Sequence, residues 1–90
     1  MREPYPIPFI TPQHFDAFRR LLSPDFPNSY DEWLKLHTKE KLERGQVGYD
    51  VLETQVDPDE FPRYCRARGV TPNRKTLLDF AFEKAAGNHY

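Results

Sequence analysis

The chain has 90 residues, 38% of them apolar, with 14 acidic and 13 basic side chains and a net charge of −1. That length makes one small domain with a thin core, and the near-neutral balance excludes a general attraction to nucleic acid or to an anionic membrane. Seven Phe, five Tyr and one Trp offset the low apolar fraction, because each ring buries a large area, so a folded chain is expected despite 30% charged residues.

One cysteine, Cys65, cannot form a disulfide within the chain. There is no charged-then-apolar leader, no run of roughly 18 apolar residues and no lipidation signal. A soluble cytoplasmic protein with no membrane partner is therefore the expectation.

Residues 4–10 place Pro4, Pro6 and Pro8 on alternate positions with Tyr5, Ile7 and Phe9 between them. Proline has no amide to donate and pushes its predecessor toward extended geometry, so residues 1–10 read as an extended arm or a one-sided edge strand. Tyr5, Ile7 and Phe9 then lie against the body of the domain or against a partner.

Thr11-Pro12 opens a helix to about Leu22, with Phe15, Phe18, Leu21 and Leu22 at helical spacing. His14 falls in its first turn, where the positive end of the helix dipole disfavours protonation, and His14-Phe15-Asp16 is too short to define a metal site. Ser29 and Glu32 form a capping-box pattern for a second helix over 30–44, stopped by Gly45. Tyr30, Trp33, Leu34 and Leu42 share its apolar side with His37 and Thr38. His37 reads as a partly buried residue with a local hydrogen bond rather than as a catalyst or ligand.

Val47, Tyr49, Val51 and Val56 favour a strand over 47–56. A lone strand is unstable, so it pairs either with the proline-spaced arm or with a second copy across a two-fold axis. Asp57 with Glu60 has the form of a capping box, but Asp59 as the cap puts Pro62 in the first turn, so a third helix is expected from about residue 60 to Arg68 after a loose turn at 57–59; Gly69 stops it. Phe61, Tyr64, Cys65 and Arg68 share a face, which makes Cys65 a small core residue.

The last helix is expected over 71–87, with Thr71 as cap, Pro72 at the first position and Gly87 as stop. Leu77, Leu78, Phe80, Ala81, Phe82 and Ala85 cover an arc of about 200°, so this segment needs cover on two sides. The rest of the chain closes around it, or a second copy does. The whole is an α+β domain over 1–90, with about four helices in a body over 11–87 and one short β element.

No glycine-rich phosphate loop, nucleophile elbow or spaced His/Cys set is present, so neither an enzyme nor a cofactor or metal protein is expected. Charge is instead segregated. Residues 50–60 hold five acidic side chains and no basic one, while residues 63–75 hold Arg63, Arg66, Arg68, Arg74 and Lys75 and no acidic one. This basic block surrounds the start of the last helix, a place suited to an anion or phosphate. The order strand, helix, short turn, helix over 47–86 is that of the ribbon-helix-helix DNA-binding fold, yet Asp50 and Glu53 on the strand would repel phosphates, and order alone does not make the chain a member.

The function expected is a small non-enzymatic binding or regulatory module whose partner is another protein or a second copy. Tyr5, Ile7, Phe9, Phe80 and Phe82 carry the contact in that reading. The alternative is a nucleic-acid or anion binder acting through the basic block.

Overall fold

Three prolines decide how the chain begins. In the computed structural model, which describes residues 2–87, the arm is a strand, β1 (Pro4–Phe9), paired in parallel with β2 (Asp50–Gln55) in the register Tyr5↔Val51, Ile7↔Glu53 and Phe9↔Gln55. Met1 and residues 88–90 of the expected 1–90 span lie outside the described residues. Asp50 N–H donates to the Glu3 carbonyl at 2.9 Å and Val56 N–H donates to the Phe9 carbonyl at 3.1 Å. Between these ends the ladder alternates, so Tyr5, Ile7 and Phe9 turn their backbone groups to β2 while Pro4, Pro6 and Pro8 turn theirs away. The missing proline amides fall where no ladder bond is made.

The strand thus pairs within the chain, with the arm, and the parallel sense separates it from a two-fold ribbon. Parallel strands need a long crossover. Helices α1 (Pro12–Leu22) and α2 (Tyr30–Val47) form it, and α3 (Glu60–Arg68) and α4 (Arg74–Ala85) follow β2, giving an α+β fold of four helices and one two-stranded sheet.

Several element ends and one cap differ from the sequence expectation. Helix α2 runs through Gly45 to Val47 and stops at Gly48, whose φ of 108° lies in the left-handed region that a Cβ disfavours. A glycine inside a helix costs only about 1 kcal/mol, so Gly45 did not have to end it. As a result Val47 is helical, Tyr49 lies in the connection, and the strand is shorter than 47–56. Helix α4 begins at Arg74 rather than at Thr71-Pro72. Asn73 caps it: Asn73 Oδ1 accepts from Thr76 N–H at 2.9 Å, and Thr76 Oγ1 accepts from Asn73 N–H at 2.8 Å. The cap of α3 also moves. Asp57 Oδ1 accepts from the amides of Asp59 at 2.7 Å and Glu60 at 3.3 Å, whereas the Asp59 side chain makes no cap bond. Thr11 stands at the expected start of α1 without a side-chain cap bond, while Ser29 Oγ accepts from Glu32 N–H at 3.2 Å as its pattern suggests.

The interior is a chain of rings. Phe18 of α1 meets Phe61 of α3 at 6.0 Å, Phe61 meets Phe80 of α4 at 5.7 Å, and Phe80 meets Tyr64 at 5.2 Å. Phe18, Phe61, Phe80, Ile7, Ile10 and Val56 are the largest fully buried side chains. Lys84 pairs with Glu60 at 2.8 Å and Arg68 pairs with Glu83, tying α3 to α4 at the surface. The last helix is central on one side only: Leu77, Phe80 and Ala81 are buried, Leu78 is half-buried, and Phe82 and Ala85 are exposed.

Candidate functional site

Where α2 passes the first turn of α4, the two helices do not close on each other. They leave a cavity of about 320 Å³, within the size range of small-ligand pockets. Helical spacing puts Trp33, Leu36, His37 and Glu40 along one stripe of α2, and these line one wall. Arg74, Lys75, Leu77 and Leu78 of α4 line the other, with Pro8 of β1 and Pro27 completing the surface. The site is therefore an apolar slot with three charged residues in its walls. Arg74 and Lys75 make no ion pair among the described residues, and Glu40 is the opposing charge.

His37 is buried, at 8% exposure, stacked on Trp33 at 4.8 Å with 21° between the planes and met edge-on by Phe9 at 5.6 Å. Its Nε2 lies 3.8 Å from Glu53 Oε2, beyond hydrogen-bond reach, and has no hydrogen-bond partner among the described residues. Burial holds the imidazole below its ordinary pKa, and the Glu53 carboxylate only partly offsets this. Glu53 in turn is held below the usual carboxylate range, first by its contact with Lys41. A neutral His37 at neutral pH keeps the floor of the slot aromatic and uncharged.

The basic block is divided by the fold. Arg74 and Lys75 face the slot, Arg68 is engaged by Glu83 and lies 5.8 Å over the Tyr64 ring, and Arg63 and Arg66 are exposed on α3 outside the cavity lining. The partner-facing set divides as well. Ile7 and Phe80 are fully buried, so they belong to the interior and offer no surface for a partner. Tyr5 is half-buried between Tyr49 at 5.0 Å and Phe82 at 5.2 Å, with Arg44 over its ring at 4.8 Å. Phe9 is half-buried against Trp33 and His37, and Phe82 is 39% exposed. Phe82 also borders a shallower apolar hollow of about 220 Å³ with Pro4, Pro6, Leu52, Ala85 and Ala86.

Cys65 is buried on α3, and burial pushes its thiol pKa up, which disfavours the reactive thiolate. Among the described residues no three His, Cys, Asp or Glu side chains gather as a metal site, and no helix is long and apolar enough to cross a membrane. Comparison of the chain with protein-family models, with curated proteins and with solved structures finds no match.

The slot was not legible as a unit in the sequence. Its signals, the 33/36/37/40 stripe and the adjacent pair Arg74-Lys75, lie more than thirty positions apart. Only the packing of α2 and α4 beside Pro8 joins them.

Proposed function

We propose that this chain is a small non-enzymatic protein-binding module that seats a short acidic segment of a partner protein between α2 and the first turn of α4. One observation carries the reading: Arg74 and Lys75, with no ion pair among the described residues, stand at an apolar slot floored by Trp33 and His37. An apolar side chain of the partner fills the slot, and a neighbouring carboxylate meets the two cations, each element doing what the other cannot. The amides of the first turn of α4 add to the attraction for negative charge. The alternative of a nucleic-acid binder requires the five basic side chains to act on one backbone. The division of the block weighs against it, since Arg68 is already paired with Glu83 and Arg63 and Arg66 lie off the slot.

The single tryptophan lines the slot and reports on it directly. Peptides combining Asp or Glu with Leu or Phe are titrated against Trp33 fluorescence, with an oligonucleotide titrated in parallel. Binding of acidic-apolar peptides that weakens by about tenfold or more in Arg74→Glu/Lys75→Glu, and changes little in Arg63→Glu/Arg66→Glu, supports the reading. Absence of peptide binding, or tight oligonucleotide binding lost in Arg63→Glu/Arg66→Glu, overturns it.

A further inference from the structure

We infer that the outer edge of β2 is a docking edge for an extended, basic segment of another protein, which adds to the sheet as a third strand. The two edges of this sheet are built differently. The β1 edge is closed to an added strand: Pro4, Pro6 and Pro8 turn outward and carry no amide to offer, and α4 packs mainly on β1, with Phe82 against the Tyr5 ring. The β2 edge has no such closure. Since Asp50 and Val56 donate to β1, the ladder turns the amides and carbonyls of Val51, Glu53 and Gln55 outward. Those groups make no hydrogen bond among the described residues. A row of unpaired donors and acceptors at strand spacing is what an added strand pairs with.

Charge selects the occupant. Asp50 is exposed and without an ion pair among the described residues, and Glu53 contacts Lys41. A second copy is disfavoured here, because full antiparallel overlap of residues 51–55 sets Glu53 opposite the Glu53 of its copy, and like charges directly opposite are destabilising. Along one face of β2, Asp50 is followed two residues later by Leu52, which is 41% exposed. The fitting segment therefore places a basic side chain beside Asp50 and an apolar one beside Leu52, two residues apart on one face of its own strand.

The test follows amide hydrogen exchange of the full chain by NMR, with the blocked peptides Lys-Thr-Val-Thr-Lys-Thr and Glu-Thr-Val-Thr-Glu-Thr as probes. The expected result is fast exchange at Val51, Glu53 and Gln55 in the dilute free chain, and slowing by about tenfold or more with the lysine peptide only. Asp50→Lys, a change at an exposed side chain, reverses the preference toward the glutamate peptide. Three results overturn the inference: the three amides already slow in the dilute chain, protection that rises with protein concentration alone, or equal response to the two peptides, a shared lack of response included. The second of these would assign the edge to a second copy instead.

Discussion

Helix α4 meets its neighbours in two ways, and the contrast locates both the stability and the proposed activity of this chain. Toward α3 it presents Phe80, which is fully buried against Phe61 and Tyr64. Toward α2 its first turn presents Arg74 and Lys75, whose charged ends stay in water, and the helices stand apart by a slot. In a chain this small, apolar side chains are too few to seal every junction. The junction where Phe80 meets Phe61 and Tyr64 is core, and the junction where Arg74 and Lys75 stand remains open.

The largest expected effect lies on the sealed side. Phe80→Ala removes the ring that joins α3 to α4 and should cost about 3–5 kcal/mol, read from the shift of a urea unfolding curve, with Leu78→Ala costing much less. Equal costs at the two positions would erase the contrast between core and slot. Next comes the cap that sets where the slot begins. Asn73→Ala removes the acceptor for Thr76 N–H and should cost about 1 kcal/mol, whereas Thr71→Ala should leave stability nearly unchanged, because Thr71 contributes its carbonyl as acceptor for the Thr76 hydroxyl at 3.0 Å.

A smaller effect is set by pH at the floor of the slot. Burial lowers the His37 pKa, with Glu53, Lys41 and Glu40 as the charges around it. A histidine whose folded pKa lies below its unfolded value of 6.5 contributes stability that is whole above that value and is lost as pH falls below it toward the folded pKa. Glu53 acts in the same sense at lower pH, its share being lost as pH falls below 4.5 toward its own lowered pKa. The urea midpoint should therefore drop between about pH 7.5 and 5.5, and His37→Phe, which cannot take up a proton, should flatten that drop. The smallest change is expected from Arg74→Glu/Lys75→Glu, within about 0.5 kcal/mol, since both side chains are exposed and make no ion pair among the described residues. A large loss there would make the pair part of the fold rather than of a binding surface.

Local chemistry was readable wherever a residue's role is decided by its neighbours in sequence. The spacing of Phe15, Phe18 and Leu22 gave α1, Ser29 gave the start of α2, and the alternate prolines gave a one-sided edge strand. Glycine was ambiguous because it is tolerated inside a helix as well as beyond its end: Gly45 and Gly48 are three positions apart, and only the second takes the left-handed conformation. Asn73 and Thr71 compete in the same way, both being good caps, and the reciprocal bond with Thr76 decides between them. Ile7 and Phe80 resembled partner-facing residues because an apolar side chain looks the same in sequence whether the other parts of the chain cover it or not. The slot needed three elements to meet, α2, α4 and β1, and no short-range pattern encodes that meeting.

The proposal that the slot is the binding surface is tested most directly by mapping amide chemical shifts while an acidic-apolar peptide selected on the wild-type chain is titrated in. The account predicts changes concentrated at Trp33, Leu36, His37, Arg74 and Leu78, with α3 undisturbed. Shifts centred on Arg63 and Arg66, with Trp33 unmoved, would contradict it.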